Sequence, residues 1–315
     1  MSAQHKMILV TGGRGFIGAR VVAALVREGV PVVCLEQRPP PADMARRIEW
    51  IQGDLEDLAT VREVSARVTG VCHAAAFIPP DFTDPEYAAQ SLRVNGVGTL
   101  NLVRAACEAG VGRFVYFSTA ALYDATAKQV NETALLYPAE HATYYAAGKL
   151  AGELFVENGR RIHGLSAVTF RVGSVYGFGM SDRSVVARFM EQASQGTPLR
   201  VLNGGQAAFD YVYVDDIADL AVKAMKSGEA GIYNAGSGVA TTVVQLAQAV
   251  ADVYSDRQVK VELEDNAGSG HAGLPALSIE QAAAAWSYRP RALSAGLKAY
   301  RAAMEASSNA CGHIQ

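Results

Sequence analysis

The chain has 315 residues, half of them hydrophobic and 19% charged, with a formal net charge of −3. That fits one large globular domain, or two interlocked ones, around a sizeable core. The weak negative charge excludes a broad basic face for nucleic acid, and no apolar run reaches the ~20 residues of a membrane span.

The first elements alternate strand and helix. Met7 to Val10 is a short apolar strand, and Val10-Thr11-Gly12-Gly13-Arg14-Gly15-Phe16-Ile17-Gly18 turns it into a helix running on from Ala19. Gly12, Gly15 and Gly18 stand at a G-x-x-G-x-x-G spacing, a relative of the dinucleotide fingerprint. Such a turn needs glycine to bend sharply, to let backbone approach a pyrophosphate and to pack helix on strand; the phosphates then meet the helix N-terminus. A nucleotide site is therefore expected here, with Phe16 and Ile17 part of it. The Met1 to Lys6 lead leaves no room for a signal peptide.

Val32 to Leu35 is a second buried strand ending on Glu36, 18 residues past Gly18. An acidic residue there suits the ribose hydroxyls of NAD and repels the 2′-phosphate of NADP, although Arg38 could receive that phosphate. NAD is the expected cofactor. Ile48 to Gln52 is a strand leading to Asp54 and Leu55, where Asp54 suits either an adenine contact or a cap for the helix from Leu58 to Arg67. Gly70 to Ala76 is a strand whose small Ala74, Ala75 and Ala76 leave space for a cofactor or pack tightly; His73 reads as structural. A long helix from Asp84-Pro85 to Gly110 is interrupted at Asn95-Gly96-Val97-Gly98, which would bring Asn95 close to the cofactor.

Phe114 to Phe117 is a strand delivering Ser118 and Thr119; Tyr144 to Val156 is a helix; Ala167 to Val172 is a strand again. This rhythm argues for a doubly wound parallel α/β sheet. Further along, helices are expected over 184–195, from an Asp215-Asp216 cap through Ala224, over 243–254 and over 292–306. Strands are expected over 199–202, 211–214 and 232–234, a mobile loop from Asp265 to Pro275 and a frayed tail over 307–315. The four cysteines, Cys34, Cys72, Cys107 and Cys311, lie far apart and read as free thiols, so no disulfide or metal site is expected and the cytoplasm is the expected location.

Tyr145 and Lys149 are four apart on a helix, hence on one face. A phenol is a poor base near neutral pH, but a nearby ammonium favours its phenolate, and a Thr119 hydroxyl could hold the substrate oxygen. These are the groups that hydride transfer from a secondary alcohol requires.

The motifs together resemble the extended short-chain dehydrogenase/reductase superfamily, in its NAD-dependent epimerase/dehydratase branch. Its pieces are Thr11 to Gly18, His73-Ala74-Ala75, Val94 to Thr99, Phe117-Ser118-Thr119 with Tyr123, Tyr145 to Lys149, Arg171 to Gly177, Asp210 to Asp216 and Tyr233 to Gly238. The resemblance implies a Rossmann-type NAD domain over 1–175, to which the chain returns at about 209–236. It implies a smaller C-terminal α/β substrate domain over 176–208 and 237–306. It also implies Tyr145 as base, Lys149 on the nicotinamide ribose, Thr119 on the reacting oxygen, and a homodimer through the helices carrying Leu92 to Cys107 and Tyr145 to Val156.

Departures from the family pattern bear on the substrate. The acid pair that follows the Thr in 4,6-dehydratases is Ala120-Ala121 here, so dehydration is not expected. A diphosphate arginine is replaced by Phe209, and the usual Asn and Pro by Ser174 and Phe178. Arg183, Arg188 and Arg200 could supply replacement charge. Ser118, Thr119, Ser174 and Phe209 are expected to face a sugar-like substrate. The expected activity is a sugar or nucleotide-sugar epimerase. The alternatives are a net dehydrogenase or reductase of a sugar, sugar acid or polyol, and a non-catalytic NAD-binding regulator.

Overall fold

The computed structural model describes residues 7–41, 44, 48–136, 142–264 and 273–312. Its centre is a sheet of seven strands in the order β11-β7-β5-β4-β1-β2-β3. The strands are β1 (Ile8–Thr11), β2 (Val32–Glu36), β3 (Glu49–Gln52), β4 (Gly70–His73), β5 (Arg113–Thr119), β7 (Ala167–Val172) and β11 (Gly231–Ala235). Every pairing in this sheet is parallel. Side chains alternate between the faces of a strand, and both faces are buried here. Thus Ile8 and Val10 join one apolar cluster with α1 (Phe16–Arg27), α7 (Val214–Met225) and α9 (Glu280–Trp286). Leu9 joins the opposite cluster with α2 (Leu58–Ser65), α4 (Gly98–Glu108) and α5 (Thr143–His163).

A third apolar cluster lies beyond β7. It joins α6 (Val185–Ser194), α8 (Val243–Val253) and α10 (Leu293–Gly312) to β9 (Leu199–Leu202) and β10 (Ala208–Tyr213). β10 pairs parallel with β8 (Ser174–Tyr176) and antiparallel with β12 (Ala240–Thr242). β13 (Val261–Glu264) lies parallel to β9, and the short β6 (Gln129–Val130) and β14 (Ala276–Leu277) pair with each other. After β10 the chain re-enters the large sheet through β11, which pairs with β7.

Three local expectations change. Asp57, not Asp54, caps α2, accepting from the Ala59 and Thr60 amides at 3.0 and 3.4 Å. Asp215 and Asp216 sit in the first turn of α7 rather than capping it, and Asp216 turns away to Arg291 at 2.8 Å. The backbone of α10 stays helical to Gly312, past the tail boundary expected at Ser307. Most of the loop expected from Asp265, and the last three residues of the tail, lie outside the described residues.

The long helix is interrupted as expected. α3 (Glu86–Ser91) passes into one wide π-helical stretch, Leu92–Val97, before α4 resumes the ordinary pitch. Asn95 is the reason for its docking. Its side chain accepts from the Phe77 amide at 2.8 Å and donates to the Phe77 carbonyl at 2.9 Å, binding the helix to the chain that leaves β4.

Candidate active site

At the carboxyl ends of the central strands lies a cleft of about 500 Å³. In an open α/β sheet this is where ligands bind. Gly12, Gly15, Phe16 and Ile17 form its floor, Glu36, Asp54 and Leu55 one end, and Ala74, Ala75 and Ala76 a side wall. Ser118, Thr119, Tyr145 and Lys149 line the other end. The sequence therefore brought most of its expected residues to one place.

Gly12 adopts a left-handed backbone with φ +73°, and a Cβ there would sit 2.5 Å from the Ala75 amide nitrogen. Gly18 is not on the cleft wall. A Cβ on it would fall 2.0 Å from the Gly12 carbonyl oxygen, so Gly18 lets α1 close onto the turn. The turn is latched by Glu36, which accepts from the Arg14 amide at 2.8 Å while the Arg14 guanidinium donates to the Pro39 carbonyl at 2.6 Å. Asp54 accepts from Gln37 at 2.7 Å and from the Glu56 amide at 2.9 Å. This floor fits a dinucleotide: backbone stripped of side chains at the N-terminus of α1, with a carboxylate at the end of β2.

Besides Gly18, three expected contact residues stand elsewhere. Asn95 is buried and its amide is committed to Phe77, so it shapes the wall without forming it. Ser174 lies in β8 and Phe209 in β10, neither on the cleft wall; the Phe209 ring packs on Tyr211 with centroids 5.8 Å apart. Of the three candidate replacement arginines, Arg200 is paired with Glu262 and Glu264, whereas Arg183 reaches the Pro80 carbonyl at 3.4 Å. Phe77, Ile78, Gln90, Val94, Gly173 and Val175 also line the cleft and were not anticipated. Phe77 and Ile78 directly follow the Ala74–Ala76 run, which was the available signal.

Around the catalytic candidates the environment is dry. Lys149 is 2% exposed, and its ammonium donates to the Phe117 carbonyl at 2.7 Å. Burial pushes its pKa down to about 7, against the pull of Glu153 one turn further along α5. Tyr145 is half-buried, with Phe82 edge-on to its ring at 5.6 Å. Burial pushes its phenol above the ordinary tyrosine value. Burial is the cause of that shift, and the lowering expected from the Lys149 charge does not offset it. Thr119 ends β5 and accepts from the Ala121 amide at 3.1 Å. The Ser118 hydroxyl, buried at the cleft, has no hydrogen-bond partner among the described residues. A buried polar atom without a partner on a cleft wall is suited to a ligand.

Behind this end lies a chain of hydrogen bonds. Thr99 donates to the Asn95 carbonyl at 2.7 Å, so it accepts from His73 Nε2 at 2.9 Å. His73 Nδ1 then accepts from the Thr11 hydroxyl at 2.7 Å. The imidazole is thereby held neutral as the Nε2–H tautomer. Burial first, and the Lys149 charge second, depress its pKa to about 3. The structural reading of His73 matches this placement. Further back, Glu153 and Arg171 form a buried bidentate ion pair, and Arg171 also donates to the Tyr123 hydroxyl at 3.1 Å.

Comparisons with known proteins agree with this geometry. The profile of the NAD dependent epimerase/dehydratase family matches residues 8–236. The chain is 31% identical to UDP-glucose 4-epimerase of Mycolicibacterium smegmatis over 77% of its own length and 81% of that protein. It is 29% identical to mouse dTDP-D-glucose 4,6-dehydratase, over 82% of the chain and 76% of the relative. Among solved structures, the NAD complex of Thermus thermophilus UDP-glucose 4-epimerase superimposes with a TM-score of 0.81 at 28% identity, covering 94% of this chain and 98% of that one.

Proposed function

The chain belongs to the NAD-dependent epimerase/dehydratase family, and from that premise we propose that it is an NAD-dependent sugar or nucleotide-sugar epimerase. The observation that carries this reading is the convergence of the glycine turn, Glu36, Thr119, Tyr145 and Lys149 on one cleft. NAD, when bound, would supply the hydride acceptor for the carbon of a secondary alcohol and the donor for its return. Tyr145 takes the proton from the substrate hydroxyl and gives it back. Lys149 supplies the positive charge that favours the phenolate and holds the nicotinamide ribose. Thr119 and Ser118 hold the reacting oxygen. Glu36 binds the adenosine ribose, with Asp54 and Leu55 beside the adenine. Ala74 to Ala76 leave room for the cofactor between β1 and β4.

Dehydration is disfavoured, because elimination needs an acid and a base following Thr119 and the chain places buried Ala120 and Ala121 there. We assign residues 1–175, with the return at 209–236, to the NAD-binding Rossmann domain. Residues 176–208 and 237–306 form the substrate domain; the third apolar cluster supports this grouping, although it also takes in Phe209, Tyr211 and Tyr213 at the start of the return. Ser174 and Phe209, at the boundaries of the NAD-binding segments, are assigned to the side that faces the substrate.

The protein is placed in the cytoplasm, supported by its free, buried Cys34 and Cys72. Among the described residues no helix is long and apolar enough to cross a membrane. We also assign a homodimer, supported by apolar side chains left exposed on the helical face that carries Leu92, Val97, Leu100 and Leu154.

The test is incubation with a panel of sugars, sugar acids and nucleotide sugars. A new stereoisomer without accumulation of reduced nicotinamide is the expected result, abolished by Tyr145→Phe while NAD binding persists. Net accumulation of reduced nicotinamide would replace the epimerase by the dehydrogenase.

A further inference from the structure

The side chain of Lys149 rests on an aromatic surface that the mechanism above does not use. Tyr116, in β5, places its ring 4.9 Å from the Lys149 ammonium. Its hydroxyl donates to the Lys149 backbone carbonyl at 3.3 Å. Both residues are buried. The approach depends on Gly152, since a Cβ there would fall 2.2 Å from the Tyr116 hydroxyl oxygen. Any side chain at position 152 would lift α5, and Lys149 with it, off the ring.

The other groups around the ammonium leave a role for this ring. From α5 come Tyr145, a neutral phenol, and Glu153, whose carboxylate is already bound in bidentate fashion by Arg171 from β7. From β4 comes His73, a neutral imidazole stacked on the same Tyr116 ring with centroids 5.4 Å apart. The Phe117 carbonyl accepts one ammonium proton. A cation taken out of water tends to lose its charge unless something replaces the lost hydration. A desolvated ammonium over a π face recovers part of it.

We propose that Tyr116 is a positioning residue for Lys149: its ring face holds the buried ammonium in place and keeps it charged. The inference rests on the reading of Lys149 as the group that holds the nicotinamide ribose in its charged form. Tyr116 touches neither the cleft nor a reacting atom and acts only through Lys149.

The experiment compares the wild type with Tyr116→Phe, which keeps the ring, and Tyr116→Met, which fills the volume without a π face. NAD affinity and kcat/KM are each followed from about pH 6 to pH 9, a span centred near the depressed lysine value. In the wild type, NAD affinity falls on the alkaline side as Lys149 loses its proton. Tyr116→Met moves that limb to lower pH by about 0.5–1 unit, a loss of roughly three- to tenfold in affinity well above its midpoint, with kcat/KM following. Tyr116→Phe leaves the limb in place. Where the methionine variant fails to fold, a ring-fluorinated phenylalanine at position 116 weakens the π face at nearly constant shape and gives a graded shift.

A limb that stays put in the methionine and fluorinated variants overturns the role of Tyr116, as does an equal shift in the phenylalanine variant. A wild-type NAD affinity that is flat with pH overturns instead the reading of Lys149 on which the inference rests. The binding readout needs no turnover, so it holds whether or not the substrate panel yields an epimer.

Discussion

Replacing Gly18 by alanine adds one methyl group at the most crowded point of the cofactor turn. The new Cβ would lie 2.0 Å from the Gly12 carbonyl oxygen, 2.6 Å from its carbonyl carbon and 3.1 Å from the Gly13 nitrogen. Carbon atoms pack comfortably at about 3.5–4.0 Å, so the shortest of these contacts is short by well over ~1 Å. All three partners are backbone, and no rotamer change relieves them. The far part of α1 is anchored in the core by the buried Val21, Val22 and Leu25, so the turn must give. Overpacking of this kind costs about 1–3 kcal/mol. Taken from the alignment of the phosphate-binding amides, it raises the NAD dissociation constant roughly 5- to 150-fold. Titration calorimetry with NAD, beside thermal unfolding, measures both shares. Gly15→Ala is the control, because its Cβ would make one close contact, 3.0 Å from the Gly12 carbonyl, and a smaller loss is expected. NAD affinity within about twofold of wild type, together with an unchanged Tm, would falsify the close-packing argument for Gly18→Ala.

Three further outcomes are expected. Glu36→Ala loses the bond to the Arg14 amide together with the ribose carboxylate, so NAD affinity falls about tenfold or more and preference over NADP narrows; a variant as selective as wild type contradicts the assignment. Stability falls as the pH drops from about 6.5 towards 3, because the unfolded chain takes up a proton that the folded His73 does not bind, at up to ~1.4 kcal/mol per pH unit. Denaturant melts across that range should show a shallower slope for His73→Gln than for wild type. Glu153→Leu leaves Arg171 buried without its carboxylate and costs about 3–5 kcal/mol in the same melts; a loss below about 1 kcal/mol would mean that Tyr123 and the Glu132 carbonyl suffice for the guanidinium.

Local patterning carried the fold. The strands of the large sheet have apolar residues on both faces and read as continuous hydrophobic runs, and the glycine spacing marked where the first of them ends. The Tyr145–Lys149 interval was visible because helical geometry converts a spacing of four into one face. What stayed hidden depends on distant pairs. Nothing in their own segments pairs Glu153 with Arg171; their burial follows only once α5 lies across β7. Tyr116 reads as one more apolar strand position, and its contact with Lys149 depends on how closely α5 settles at Gly152. Asn95 was expected near the cofactor because glycine interrupts the helix there, yet the amide was claimed by Phe77, a residue 18 positions earlier. Asp54 was the cap read from the sequence, and the register of α2 placed Asp57 there instead.

The wide stretch at Leu92–Val97 carries a consequence for how this chain can change. An α-helix advances about 100° per residue, whereas a wide turn takes about one residue more for nearly the same rotation, so this stretch absorbs one residue and leaves α3 and α4 in phase. Deleting one residue near Gly96 would close the backbone into an unbroken α-helix with Thr99 still facing His73. Adding or removing a residue later in α4 has no such absorber and would turn everything after it by about 100°. Homologous chains that share this cleft can therefore lose one residue within 92–97 more readily than one beyond Gly98.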